Sequence, residues 1–324
     1  MTGADWISAH VHYHGDLDGL LVDGLRPLLV GLREAGLVDR AFFLRHWQGG
    51  PHLRVRLAPG EGVDRAAVIA RLDAAMGRFL DERPSRRAVT DAEYRSVAGR
   101  LAATDPRGST VEPLEPDNTV RHRPYEREYD RYGGTDAAMD AVEDHFCESS
   151  ALVLDVLSGR PDGNRRNGQA LAMITGSAAM ATDDGPELAR FAHAGRAVWG
   201  RTLLAGDETA EALFERRWHR QRDGVRRIVD TVVGTVRDEG YRDGASPVAR
   251  WLRSLTALAA RLGRLADDGA FAPLDVVGPR VRGSGLPSVL LLCSHLNTNR
   301  LGVPVTEEAY LMYLLNRAVL GDPS

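Results

Sequence analysis

Hydrophobic periodicity changes once along this 324-residue chain, near residue 135, and that change limits the fold classes open to it. Residues 6–14, Trp-Ile-Ser-Ala-His-Val-His-Tyr-His, alternate with period two, as a strand does. Residues 42–47 and 53–57 are two further strand-like runs, joined by Gln48-Gly49-Gly50-Pro51, a hairpin signal. Around them, helices are expected over 17–37, with Asp16 as N-cap and Gly36 near the end, over 63–80, and over 90–101, where Thr90 and Glu93 form a capping box. Residues 104–123, rich in Pro, Asp and Gly, read as a loop with a short strand near Val120. Beyond 135 the pattern is helical over 137–157, 168–180, 186–204, 208–239 and 247–265. An irregular crossover follows at 269–287, then a buried helix from Ser288 and an amphipathic one over 306–319. No internal repeat is apparent. The expected fold is α+β: an antiparallel sheet in the N-terminal part with a largely helical remainder. It forms a single domain over 1–324, with a possible subdivision into 1–134 and 135–324.

Composition narrows the function classes. With 43% hydrophobic and 27% charged residues, the chain can bury most of its surface and is not disordered or fibrous. Charged residues and glycines interrupt every apolar run short of membrane-spanning length, and the first residues carry neither a basic region nor an apolar core, so a cytoplasmic protein is expected. Two cysteines, Cys147 and Cys293, are too few to staple the fold and read as free thiols on helices. All 41 basic residues are arginine; there is no lysine. Schiff-base chemistry is thereby excluded, as is a P-loop built on its usual lysine. Cationic chemistry here is the clamping of anions by a permanently charged fork.

Three clusters could carry chemistry. On a strand, His52, Arg54 and Arg56 share one face, with Leu53, Val55 and Leu57 on the other, packed inward. The polar face is either a wet outer surface or a paired-arginine site for a carboxylate or phosphate. The run Tyr125-Glu126-Arg127-Glu128-Tyr129-Asp130-Arg131-Tyr132-Gly133-Gly134 is a self-neutralising segment or the source of another arginine for such a site. Near the C-terminus, His295 and Asn299 share a helix face, Arg300 follows, and Gly302 ends the helix. His295 follows the apolar run 289–293 into the interior, where it could act as an acid or base. His10, His12 and His14 share a face of the first strand. Three neighbouring ligands on one strand surround an ion poorly, so a polar cleft lining is expected and no metal. No cofactor signature is present. The acidic balance (net charge −4) makes nucleic acid an unlikely ligand; Arg216, Arg217, Arg220, Arg222, Arg226 and Arg227 read as a solvated helix face.

Together the motifs resemble the C-terminal domain of class I lantibiotic dehydratases, also found as stand-alone thiopeptide-biosynthesis proteins. The matching stretches are residues 6–14 with Asp18-Gly19-Leu20-Leu21, 43–56, 125–134, 146–152 and 295–302, so the resemblance covers nearly the whole chain. It implies action on a ribosomal precursor peptide bearing a leader. One branch of the family eliminates glutamate from glutamylated Ser or Thr to leave dehydroamino acids. Another joins two dehydroalanines by a formal [4+2] cycloaddition and expels the leader, forming a pyridine.

By resemblance, Arg54, Arg56 and His295 match the elimination site, with Arg127 favoured over Arg131 as a third arginine. His52, Arg131, Asn299 and Arg300 are expected to contact substrate. The arginine pair and histidine favour elimination over cycloaddition. The large glutamylation domain of full-length dehydratases is absent from this sequence, so a separate glutamyl-tRNA-dependent protein is the expected partner. A third alternative is a non-catalytic protein that presents the peptide. The oligomeric state is not legible.

Overall fold

The computed structural model describes residues 5–87, 89–102, 110–200, 208–278, 281, 283 and 285–321. The fold is α+β, in two compact units. One comprises Met1–Arg127 with Phe146–Arg160, the other Glu128–His145 with Pro161–Ser324.

The first unit holds an antiparallel sheet of β1 (Ile7–His12), β2 (Val38–His46), β3 (His52–Pro59) and β4 (Thr119–His122), in the order β2-β3-β1-β4. The hairpin turn and the short strand at Val120 lie where expected. Its apolar face carries Ile7, Ala9 and Val11 beside Leu57, Val55 and Leu53, all at most slightly exposed. Helix α3 (Arg65–Glu82) packs against β1 and β4, burying Val68, Leu72, Met76, Phe79 and Leu80. Helix α4 (Asp91–Ala102) opens on the capping box: the Thr90 N–H donates to Glu93 Oε2 at 2.9 Å, and the Glu93 N–H donates to Thr90 Oγ1 at 3.2 Å.

The helix expected over 17–37 is not continuous. After α1 (Leu17–Gly19), capped by Asp16, residues Leu20–Leu25 form a π-helical turn before α2 (Arg26–Glu34). Pro27 supplies the reason. In a regular helix its ring would press on the carbonyl four residues earlier and its nitrogen could donate nothing. The widened turn, in which the Arg26 N–H reaches back to Leu21 O, absorbs that misfit.

The second unit is helical. It holds α5 (Tyr129–Tyr132), α7 (Gly163–Ala181), α8 (Gly185–Gly200), α9 (Glu208–Arg237), α10 (Pro247–Asp267), α11 (Gly285–Leu301) and α12 (Val305–Leu320); α6 (Asp136–Ser158) passes from it into the first unit. The helix expected at 168 starts earlier, because Asp162 caps it by accepting from the Arg165 N–H. The last residues of the helix expected over 186–204 lie outside the described residues, as does part of the expected 104–123 loop. Helix α11 buries Pro287 through Ser294 on every side and packs against α7 and α10, and α12 packs against α7, α8 and α9. Trp251 ties α10 to α7 by donating from Nε1 to Met173 O at 3.1 Å and Ser177 Oγ at 3.2 Å. Cys147 and Cys293 are free thiols on α6 and α11, and burial pushes the Cys293 thiol up to about 12. Among the described residues no helix is long and apolar enough to cross a membrane.

Candidate active site

Strand register decides what the polar sheet face contains. The pairing of β1 with β3 sets Ser8 opposite Arg56, His10 opposite Arg54 and His12 opposite His52. Pairing of β2 with β3 adds His46 beside His52 and Phe42 beside Arg56. Directly paired residues point to the same side, so one face gathers four imidazoles and two guanidiniums. It is not a wet outer surface: His52 is 0% exposed, His12 1% and Arg56 6%. Of the two readings open from spacing alone, the solvated one is excluded.

The rings form a packed bed. The His52 centroid lies 5.0 Å from that of His10 with nearly parallel planes, 4.5 Å from His12 and 5.3 Å from His46. Burial, reinforced by neighbouring imidazoles and arginines, lowers His10 to about 2 and His52 to about 3. His12 falls to about 4, burial again being the main cause, and His46 is driven well below its ordinary value. At neutral pH all four are uncharged. His52 Nδ1 lies 2.8 Å from the Gly50 carbonyl, which can only accept, so Nδ1 carries the hydrogen and Nε2 the lone pair. Among the described residues, His52 Nε2 and both ring nitrogens of His12 are buried with no hydrogen-bond partner. No group of three or more His, Cys, Asp or Glu among these residues is disposed to hold a metal ion.

Arg56 is the buried charge on this face. It donates from Nη1 to Val55 O at 3.1 Å, its Nη2 lies 3.4 Å from His10 Nε2, and its guanidinium lies 5.2 Å over the Tyr125 ring. Tyr125 is held edge-on against Phe42 and Trp6, and Phe42 packs on Phe146 of α6. Burial first and Arg54 second pull Arg56 down to about 10, and among the described residues no carboxylate bears on it. A buried cation without a carboxylate is costly in a protein interior. Arg54, half-buried, shares the face, and Arg127 is a half-buried member of the same unit.

The other expected residues belong to the second unit. Arg131, on α5, is half-buried and lies 3.7 Å from Glu128. His295 and Asn299 lie one turn apart on α11, both half-buried, whereas Arg300 is fully enclosed, where its charge bears on His145, Cys293 and Tyr132. His295 Nδ1 lies 2.8 Å from Glu308 Oε2 of α12.

Two contacts escaped the sequence. Tyr125 sits in a run dominated by charge, although an aromatic beside arginines is a cation–π signal. Glu308 reads as an acid suited to a helix N-terminus; its position before the apolar run 309–315 is the sign that it is buried.

A family model for the lantibiotic biosynthesis dehydratase C-terminal region matches residues 6–319. Among solved structures, the pyridine synthase TbtD from thiomuracin biosynthesis aligns over 97% of this chain and 97% of its own, at 23% identity and a TM-score of 0.78. TsrL aligns over 97% and 94%, at 21% identity and a TM-score of 0.67. The tRNA-dependent lantibiotic dehydratase MibB from Microbispora sp. 107891 aligns over 98% of this chain and 28% of its own, at 20% identity and a TM-score of 0.56. At these identities the likeness is one of fold. A comparison with curated proteins gave no match.

Proposed function

The chain belongs to the lantibiotic dehydratase C-terminal family, and from that premise we propose that it eliminates glutamate from glutamylated Ser or Thr of a ribosomally made precursor peptide. A separate glutamyl-tRNA-dependent protein would supply the glutamylated peptide. The observation that carries the reading is Arg56, a buried guanidinium, beside a bed of neutral imidazoles, on which among the described residues no carboxylate bears.

The chemistry asks for such a group. A base removes the Cα proton, the Cα=Cβ bond forms, the Cβ–O bond breaks, and glutamate leaves with the electron pair as a carboxylate. A forked guanidinium in a water-poor setting stabilises that charge as it develops. In this reading Arg54, Arg56 and Arg127 handle the anionic centres, and His295 moves the proton. Arg131 and Asn299, both half-buried, contact the peptide; His52 and Arg300, each 0% exposed, do not reach it and support the site from within.

A second reading stands beside it, since the fold is shared with a pyridine synthase. Under it, the protein joins two dehydroalanines and releases the leader. Supplying the chain with an O-glutamyl-serine precursor peptide and, separately, a bis-dehydroalanine precursor distinguishes the two. The elimination reading expects glutamate release and dehydroalanine from the first, and no leader release from the second. Leader release with the glutamyl ester left intact overturns it. If neither substrate changes, the chain is a peptide-presenting protein.

A further inference from the structure

Glu308 is an unusual residue for its place. Its backbone lies in the first turn of α12, its N–H donating to Pro304 O at 2.9 Å, and the residue is 0% exposed. Its Oε1 has no hydrogen-bond partner among the described residues, and Oε2 meets His295 Nδ1 at 2.8 Å. A buried carboxylate so sparsely bonded adds little to stability, and an apolar residue of the same volume would serve the fold as well or better. Its position in the first turn, where helix dipoles favour negative charge, keeps it a suitable acceptor.

From this geometry we infer that Glu308 is the positioning residue for His295, holding the ring with a hydrogen on Nδ1 so that Nε2 is the nitrogen that exchanges the proton. A carboxylate only accepts, so a hydrogen bond to it places a hydrogen on Nδ1. The turn between the helices makes the arrangement rigid. The Gly302 N–H donates to Asn299 O at 2.9 Å and the Val303 N–H to Thr298 O at 3.0 Å, with Gly302 at φ 75°. The His295 side chain is partly open to its surroundings, whereas the Glu308 side chain is sealed, so Glu308 acts through the imidazole without touching substrate. The inference rests on the proton-transfer role proposed above for His295.

The test is 15N NMR of the full chain labelled at histidine, with His295→Asn assigning the signal, alongside glutamate release from the O-glutamyl-serine peptide. The neutral His295 ring is expected as the Nδ1–H tautomer. In Glu308→Leu the Nε2–H form should gain population and turnover should fall about 100-fold. Glu308→Asp, which keeps the carboxylate, should recover the tautomer and most of the rate. A wild-type ring protonated on Nε2 alone overturns the inference whether or not any variant folds, as does an unchanged tautomer in Glu308→Leu. If His295→Asn turns over at the wild-type rate, the role proposed for His295 fails instead, and the tautomer result identifies that failure separately.

Discussion

The Arg56 guanidinium lies 5.2 Å over the ring of Tyr125, and among the described residues no carboxylate bears on it. The cation–π contact offsets only part of the cost of burying the charge. The downward pull to about 10 corresponds to roughly 3 kcal/mol against the charged form.

Removing that charge should therefore not harm the fold. Arg56→Met orphans no buried carboxylate among the described residues and replaces the buried stem with apolar volume. Urea unfolding should give a stability equal to wild type or higher by up to about 3 kcal/mol. A loss greater than about 1 kcal/mol would mean that Arg56 supports the fold.

The imidazole bed makes the protein acid-sensitive. His10, His12, His52 and the buried His145, lowered to about 3, stay neutral in the fold, but in the unfolded chain they take up protons near pH 6.5. Below that pH the unfolded state binds more protons, so stability falls as pH falls. Each group contributes up to about 1.4 kcal/mol per pH unit, until its own folded value is reached. Above about pH 7 the four groups contribute no slope. Denaturation at pH 7, 6, 5 and 4.5 should show steep loss below 6, and His52→Gln should lower the slope by about one proton's worth. A wild-type stability flat from pH 7 to 5 contradicts the neutral bed.

Gly133 is fixed by its conformation. It ends α5 at φ 118°, and an added Cβ would sit 2.5 Å from the Phe271 ring, while its carbonyl accepts from the Ala272 N–H at 3.2 Å. Gly133→Ala should cost about 2–4 kcal/mol in thermal or urea unfolding, combining backbone strain with overpacking. Gly134, at φ 80° with nothing within 4 Å, should lose only the conformational part when changed to Ala, about 1 kcal/mol. Equal costs at the two positions would contradict the account.

Much of this was legible because strand and helix periods differ. Alternation in residues 6–14 and 52–56 specified which side chains share a face, and the helical half announced itself through 3.6-residue spacing. Periodicity does not say what covers a face. His10, His12, His52, Arg54 and Arg56 look equally like a wet surface or a buried bed until pairing and burial are known. The π turn at Leu20–Leu25 was hidden because its residues are ordinary helix formers and its cause, Pro27, lies downstream. The Glu308–His295 pair was hidden because its members come from successive helices 13 residues apart, a separation no single-helix pattern reads.

The account's central claim is that the sheet arginines receive the departing carboxylate. The direct measurement is single-turnover glutamate release from an O-glutamyl-serine precursor peptide by wild type and by Arg56→Met, each at saturating enzyme. The account predicts release by wild type and a loss of about 100-fold or more in a variant that unfolds no earlier. Release by Arg56→Met at the wild-type rate would contradict it.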